Sequence, residues 1–340
     1  MTRDWVKLIT SIAPFIITMK PIKLSVKSTK EMLQVLDETK EAFFKDKKTL
    51  YPYTQWEHKR AQIKERLNQL PEYVHQAVEV INIEEQKMGR PPKLDLEKKV
   101  NLYILVRFLN KSNRLAEESL GYFQPLFGVD VSYKYIERLY GDPEVKLALH
   151  NLFVLLLKDE GASGDYSGDG TGYSVSVENH YRTNPNKYGK KFVHFFSLID
   201  LATGMYVGCG VSRLSEWDAF SKAVAMLRRV GAVIKSIRLD KYYSMRRVIR
   251  MFDRSVSLFL IPKKNIAKIG AWADILTRMM ASPVDFLSEY FQRNLSESGF
   301  SADKGRFGSI IRQRREDRQQ TALFSNALFH NIYTVRINPK

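Results

Sequence analysis

The sequence predicts an α/β fold in which a mixed sheet with flanking helices follows an all-α N-terminal region. Helical periodicity and helix caps dominate the chain up to about residue 158, and glycines with alternating apolar residues follow. From there the predicted elements come in the order of three strands, helix, strand, helix, strand and further helices. A meander that leads into β-α-β units is typical of a mixed sheet covered by helices.

The chain divides into three predicted regions. Residues 1–92 form a helical N-terminal region, in which Pro71 starts one of the helices. This region closes on Gly89–Lys93, a basic, proline-rich segment that fits an interdomain linker or an arm along a DNA minor groove. Residues 93–158 form a second helical region, and residues 159–340 form the domain that carries the sheet.

The second helical region contains a candidate helix-turn-helix, a common DNA-binding unit. Arg114–Tyr122 is predicted as the first helix, Phe127–Asp130 as the turn and Tyr133–Tyr140 as the second helix, with Ser132 as its cap. An ordinary helical hairpin fits the same pattern, and the segment carries little net charge. DNA reading and simple packing therefore both stay open for this region.

The sheet begins after a glycine-rich stretch. Tyr173–Val177 alternates apolar and polar residues, as a half-exposed strand does. Phe192–Ile199 and Met205–Val211 are two more predicted strands, and the turn Asp200–Gly204 joins them into a hairpin. The elements predicted beyond it are a helix led by the capping box Ser215–Asp218, the strand Val233–Leu239 ending at Asp240, the helix Met245–Phe252, the strand Val256–Ile261 and helices over 271–297.

Net charge predicts a polyanionic partner. The chain carries +17 at pH 7, and residues 201–340 hold 24 basic and 11 acidic side chains, which leaves +13 in that part alone. Ribosome or membrane binding would fit such enrichment as well. No apolar run approaches the ~20 residues of a membrane span, so we expect a cytoplasmic, nucleoid-associated protein.

Cysteine and histidine usage excludes two kinds of site. Cys209 is the only cysteine, so a disulfide framework and a thiolate zinc site are both excluded. The six histidines are scattered without metal-ligand spacing. If the protein holds a metal ion, we therefore expect oxygen ligands.

The most informative segment holds four polar residues at regular spacing. Tyr290, Arg293, Glu297 and Lys304 would fall within roughly 60° of one another on a continuous helix. A phenol, a guanidinium, a carboxylate and an ammonium on one face are typical of a site that holds a metal ion beside phosphate groups.

Three carboxylates stand where the predicted sheet would bring them together. Asp169 lies in a glycine-rich run at the mouth of the first strand, Asp240 ends a later strand, and Glu297 lies on a covering helix. Such a set suits two Mg²⁺ ions. Simpler roles stay open, namely a turn residue, a helix cap and an exposed partner of Arg293, and Asp165 and Asp200 compete with Asp169.

These residues resemble a known family. The spacing Tyr290-x2-Arg293-x3-Glu297-x6-Lys304 is similar throughout to the signature around the third catalytic carboxylate of one large family of prokaryotic insertion-sequence DDE transposases. Asp240-Lys-Tyr-Tyr-Ser resembles the family's second motif, with Tyr242 in place of the usual glycine. Gly-Asp169-Gly-Thr-Gly is similar to its first motif but richer in glycine.

The resemblance implies an RNase H-like catalytic domain that performs DNA transposition with Mg²⁺, or with Mn²⁺ as a substitute. It makes Asp169, Asp240 and Glu297 the catalytic metal ligands, and Tyr290, Arg293 and Lys304 the contacts to DNA phosphates. The implied partners are the terminal inverted repeats of the element and the target DNA, bound by a homodimer. A structure-specific nuclease of the same fold and a non-catalytic, transposase-derived DNA-binding protein are the alternatives.

A run of arginines follows the signature. Five arginines in residues 306–318 predict a basic helix that tracks the DNA backbone, with affinity that falls steeply as salt rises. A solvated helix face is the alternative. The DNA-contacting residues of this helix are predicted to be Arg306, Arg312, Arg314 and Arg315.

Overall fold

The computed structural model describes residue 34 and residues 53–81, 93–127, 130–175, 192–263, 270 and 272–334, with the backbone alone for 122–127. The chain forms two compact units. The larger unit comprises Pro52–Ile234 and Asn294–Lys340, and the smaller unit comprises Met1–Tyr51 and Lys235–Arg293.

The first part of the larger unit is helical. Its helices are α1 (Tyr53–Glu79), α2 (Leu96–Leu109), α3 (Asn113–Phe127), α4 (Tyr133–Leu139) and α5 (Pro143–Glu160). Side-chain caps start three of them, since oxygens of Asp95, Ser132 and Asp142 accept hydrogen bonds from the first-turn amides of α2, α4 and α5. These caps explain where the helices begin, because they satisfy amides that have no partner within the helix.

Pro71 does not start a helix, contrary to the prediction. It lies inside the continuous helix α1. A proline there removes one backbone hydrogen bond. Leu70 and Val74, on either side of it, are both buried, and their packing maintains the helix where local preference would end it.

The candidate helix-turn-helix corresponds to α3 and α4. Ser132 caps α4 through a hydrogen bond from the amide of Tyr135, as expected. The guanidinium of Arg114 lies 5.3 Å from the ring centre of Tyr133, which ties the two helices together. Gly128 and Val129 of the turn, and Gly89–Pro92 of the predicted linker, lie outside the described residues. A DNA-reading role for this pair stays a prediction.

The strands of the larger unit form an antiparallel meander. They are β1 (Asp165–Ser174), β2 (Phe192–Asp200) and β3 (Tyr206–Ser212), with β2 between the other two. The predicted hairpin of β2 and β3 is confirmed, and Asp169 pairs with Ser197 across β1 and β2. The prediction for β1 was wrong at its start, because the strand runs through the glycine-rich stretch and places Asp169 in its middle.

The glycines of this sheet fit a close helix on one face. The helix α6 (Glu216–Arg229) packs so near that a Cβ on Gly210 would lie 1.9 Å from the carbonyl oxygen of Ala219. Phe196 meets Phe220 of α6, with ring centres 5.1 Å apart. Gly208 and Gly210 of β3 permit this approach, because a side chain at either position would meet the backbone of α6.

Two helices cover the opposite face of the meander, α10 (Asn294–Phe307) and α11 (Glu316–Tyr333). Phe195, adjacent to Phe196 and therefore on the other face of β2, meets Phe300 of α10 with ring centres 5.9 Å apart. The three-stranded meander is thus enclosed by α6 on one side and by α10 and α11 on the other.

The smaller unit contains a parallel pair of strands, β4 (Ser236–Leu239) and β5 (Ser257–Phe259). Its helices are α7 (Arg246–Ile249), α8 (Ala273–Ala281) and α9 (Pro283–Phe291), and a 3-10 turn spans Lys241–Tyr243. Arg238 of β4 is buried, forms an ion pair with Glu289 and lies 4.8 Å from the ring centre of Phe259. A buried guanidinium is thereby given both a charge partner and an aromatic face.

The predicted fold class is confirmed. Antiparallel and parallel strands with flanking helices follow an N-terminal helical region, which is consistent with an RNase H-like fold. No helix among the described residues is long and apolar enough to cross a membrane.

Candidate functional site

The site in the larger unit arises where α10 lies along β1. Two hydrogen bonds join these elements. The hydroxyl oxygens of Ser167 and Ser296 are 2.9 Å apart, and both serines are fully buried. This pair of serines forms one end of the contact. At the other end, the ammonium of Lys304 donates a hydrogen bond of 2.6 Å to Thr171 Oγ1.

Asp169 lies between these two contacts on β1. Alternate residues of a strand share a face, so Asp169 belongs to the same face as Ser167 and Thr171, the face that α10 covers. Its Oδ1 accepts a hydrogen bond of 2.8 Å from the amide of Gly170, and the residue is half-buried. Glu297 directly follows Ser296 and is exposed. The first and third predicted carboxylates therefore lie on two elements that contact each other.

Lys304 has an environment that favours anion binding. Its ammonium lies 5.3 Å from the ring centre of Tyr173, on the same strand face as Thr171. Burial lowers the pKa of Lys304 below the ordinary lysine value. A partly desolvated cation oriented by one hydrogen bond can donate its remaining protons to phosphate oxygens.

A buried polar network fixes α10 next to Lys304. Asp303 is 1% exposed, and its two oxygens receive hydrogen bonds from the hydroxyl of Tyr206, at 2.8 Å, and from Nδ1 of His330, at 2.9 Å. Nε2 of His330 lies 2.9 Å from the carbonyl oxygen of Gly204. Both ring nitrogens of His330 therefore lie within hydrogen-bond distance of an oxygen atom.

The rings of Tyr206 and His330 stack in this network, with centres 3.8 Å apart. Burial and the adjacent Asp303 carboxylate hold the pKa of the Tyr206 phenol well above its usual value. This network was not predicted from the sequence, because Asp303 and His330 are 27 residues apart and no local pattern links them.

The smaller unit groups three other predicted residues. Asp240 follows β4 and caps the 3-10 turn, where its Oδ2 accepts a hydrogen bond of 3.3 Å from the amide of Tyr242. Its Oδ1 lies 3.7 Å from a guanidinium nitrogen of Arg293. The guanidinium of Arg293 lies in turn 5.6 Å from the ring centre of Tyr290, which is buried. A carboxylate at a strand end is thus paired with a cation that rests on an aromatic ring.

The four-residue segment is not one helix, contrary to the prediction. Tyr290 lies in α9, Arg293 lies in a turn, and Glu297 and Lys304 lie in α10. Amides of Gln292 and Arg293 bond to carbonyls three residues earlier, which closes α9 before α10 begins. The spacing is retained, but two helices and a turn present these side chains.

The arginines beyond Lys304 do not form a basic helix either. Only Arg306 lies in α10, where its guanidinium is 5.0 Å from the ring centre of Tyr333. Gly308, with a φ of 79°, ends that helix. Arg312, Arg314 and Arg315 are exposed on the connecting segment, and α11 begins at Glu316.

The competing aspartates have structural positions. Asp200 is fully buried and accepts hydrogen bonds from Ser163, Ala202 and Thr203, which closes the β2–β3 turn. Its oxygens are occupied by this turn. Asp165 is the first residue of β1. It lies four residues before Asp169 and therefore on the same face of the strand.

The donor chemistry of Asp169, Asp240 and Glu297 fits Mg²⁺, which prefers oxygen ligands. No group of three or more His, Cys, Asp or Glu side chains in the described part of the chain is assembled to hold a metal ion. Cys209 is buried, which raises its pKa to about 12 and makes it a poor metal ligand. The assignment of a ligand set therefore rests on donor chemistry and motif.

Comparison with known proteins shows an extensive similarity. Over 316 residues, 93% of this chain and 98% of the relative, the sequence is 54% identical to an Archaeoglobus fulgidus protein named "Probable transposase for insertion sequence element ISA1214". No protein-family model matches the chain.

Proposed function

Because the chain belongs to the transposases of insertion sequence elements, we propose that it moves DNA by a DDE mechanism. It binds the terminal inverted repeats of its element, cleaves the phosphodiester bond there and joins the freed 3′-hydroxyl to target DNA. The observation that carries the proposal is the packing of α10 on β1, which supports a common site for Asp169, Glu297 and Lys304.

The proposed metal ligands are Asp169, Asp240 and Glu297, and the proposed metal is Mg²⁺, with Mn²⁺ as a substitute. When bound, two such ions supply the activation of a water or 3′-hydroxyl and the stabilisation of the leaving oxygen. Asp169 lies on a strand that pairs with β2 along its length, so its backbone has a fixed position. Rigid support of this kind favours phosphoryl transfer, in which positioning contributes much of the rate.

Lys304 and Arg293 are the proposed contacts to phosphate oxygens at the scissile strand. Thr171 orients Lys304, and Tyr290 supports the guanidinium of Arg293 through its ring. The phenol of Tyr290 is buried, which favours a supporting or hydrogen-bonding role over nucleophilic attack. No covalent link between protein and DNA is expected.

Exposed arginines that follow Lys304 in the chain are further proposed contacts to DNA. Arg306, Arg312, Arg314 and Arg315 are the proposed contacts to the DNA backbone, and they lie within a short stretch that follows Lys304. Arg315 is also paired with Asp317 at 3.0 Å, so its contribution is shared with that carboxylate. Transposition joins two element ends, and we therefore propose a homodimer on DNA.

The test uses the purified chain, linear DNA carrying both ends of its element, a supercoiled target and Mg²⁺. The proposal predicts nicks at the element ends and insertion products that disappear in Glu297→Gln. Cleavage without insertion would indicate a structure-specific nuclease. Binding of the ends without any cleavage would indicate a non-catalytic DNA-binding protein, and cleavage that persists in Glu297→Gln would remove Glu297 from the mechanism.

A further inference from the structure

A small, open pocket lies in the larger unit beside the end of β1. The end of α2, the second residue after it, the segment between α10 and α11, and the middle of α11 form most of its wall. The lining residues are Arg107, Lys111, Tyr140, Tyr173, Phe307, Gly308, Ile310, Ile311, Arg312, Gln313, Ala322 and Asn326.

The lining of this pocket carries three cations and no carboxylate. Arg107 is held in place, since its guanidinium donates to Ser325 Oγ at 3.1 Å and also to Asn326. Arg312 donates to the backbone and side-chain oxygens of Asn110, each at 3.4 Å. Lys111 is exposed and makes no hydrogen bond or ion pair within the described residues. Such a lining attracts an anion.

The pocket is fixed relative to Lys304. Tyr173 lines it and also carries the Lys304 ammonium against its ring, 5.3 Å from the centre. The amide of Ser174 donates to the carbonyl of Ser309 at 3.1 Å, and the amide of Ile311 donates to the carbonyl of Ser174 at 2.8 Å. These two bonds dock the segment between α10 and α11 onto the end of β1. The pocket and Lys304 therefore have a set separation.

We propose that this pocket is a second phosphate site, which takes a backbone phosphodiester of the element-end DNA next to the phosphate held at Lys304. The inference rests on the proposed function. Arg107 and Arg312 present planar guanidinium groups, and Lys111 supplies a mobile ammonium, a combination that suits phosphate oxygens. Tyr140, Tyr173 and Phe307 provide an aromatic wall for the attached sugar. The site fixes the register of the DNA, since phosphate contacts position a duplex without reading its sequence.

The test compares Lys111→Gln and Arg312→Gln with a control, Lys158→Gln, an exposed lysine of α5 outside the pocket. Arg107 is left intact because it is bonded into α11. Binding of an element-end duplex is measured over a range of salt concentrations. Each pocket variant is expected to lower the slope of log affinity against log salt by about one, and the control by less. An unchanged slope in both pocket variants would overturn the proposal.

A second measurement locates the phosphate. Neutral methylphosphonate linkages are placed one at a time along the duplex. Binding is then compared between the wild-type chain and a double variant that carries both Lys111→Gln and Arg312→Gln. One linkage is expected to weaken the wild-type complex but to have no further effect on the variant. Independent effects at every position would contradict a dedicated site.

Two further outcomes separate this inference from the proposed function. If the wild-type chain binds the element ends but does not cut them, the proposed function fails. The methylphosphonate measurement still shows whether the pocket binds a backbone phosphate of the DNA. Inorganic phosphate is titrated into the wild-type chain and Lys111→Gln as another arm. Phosphate binding that depends on Lys111, together with an unchanged salt slope for DNA, would assign the pocket to a free anion and overturn the DNA assignment.

Discussion

Lys304 donates a hydrogen bond of 2.6 Å to Thr171, which lies two residues beyond Asp169 on the same face of β1. This bond joins the last residue of the four-residue segment to the strand of the first carboxylate. Together with the Ser167–Ser296 contact it fixes α10 on β1 at two points on either side of Asp169. The proposed site depends on this packing of α10 on β1.

Loss of the Thr171 hydroxyl should impair the reaction without unfolding the protein. Thr171→Val keeps the shape of the side chain but removes the acceptor that orients Lys304. We expect cleavage of element ends to fall about tenfold, in line with the roughly 1.5 kcal/mol contributed by a hydrogen bond to a charged group. Thr171→Ser retains the hydroxyl and should keep most of the activity. Equal rates for the valine variant and the wild type would show that this bond does not orient Lys304 for catalysis.

The Asp303–His330 pair should be a strong determinant of stability. His330→Phe leaves an oxygen of the buried Asp303 carboxylate without its hydrogen-bond partner, and we expect the free energy of unfolding to drop by about 3 kcal/mol in denaturant titrations. His75 and Glu97 offer a matched control, because their atoms are 3.0 Å apart, against 2.9 Å for Asp303 and His330, but the pair is exposed. His75→Phe should leave the stability unchanged. Similar losses in both variants would refute the role given to burial.

Stability should fall at alkaline pH because buried tyrosines resist ionisation. Burial raises the pKa of Tyr166 to about 12, and burial with the Asp303 carboxylate raises that of Tyr206 well above its usual value. The folded chain keeps these protons while the unfolded chain releases them above about pH 10, so stability present below that pH is lost as pH rises. Tyr206→Phe should make the fall in the free energy of unfolding with rising pH less steep by about 1.4 kcal/mol per pH unit. Denaturant titrations at several alkaline pH values check this slope.

Gly210 should tolerate no side chain. A Cβ there would lie 1.9 Å from the Ala219 carbonyl oxygen, a backbone atom of α6 that cannot move aside by itself. Gly210→Ala is expected to destabilise the fold by about 3 kcal/mol or more. Gly121, inside α3, has open space around its Cβ position, and Gly121→Ala should be neutral or stabilising by up to about 1 kcal/mol. Thermal unfolding of the two variants compares the sites, and a stable Gly210→Ala would contradict the close packing of α6.

Local patterns in the sequence were enough for the elements that depend on local forces. Alternation and a turn identified the β2–β3 hairpin, and the side chain of Ser215 caps α6 as its capping box predicts. Asp240 was correctly predicted at the end of a strand. An apolar run that ends at a polar residue is a short-range signal, which the sequence alone shows.

Features that depend on distant residues were beyond the sequence. The first strand was predicted to begin after the glycine-rich stretch, whereas β1 runs through it, because the pairing partner of that stretch is β2, more than 20 residues later in the chain. The turn at Arg293 and the end of α10 at Gly308 were missed as well, because spacing alone cannot distinguish one helix from two with a turn between them. Pairing of Asp303 with His330 required the packed structure.

The most direct test concerns Asp169, the carboxylate that we propose as a metal ligand on the strand that α10 covers. Asp169→Asn is compared with Asp165→Asn, a matched change at the start of the same strand and on the same face. Mg²⁺-dependent cleavage of the element ends is measured for both, together with DNA binding and circular dichroism. The account predicts that Asp169→Asn abolishes cleavage while binding and folding persist, and that Asp165→Asn cleaves normally. Normal cleavage by Asp169→Asn would contradict it.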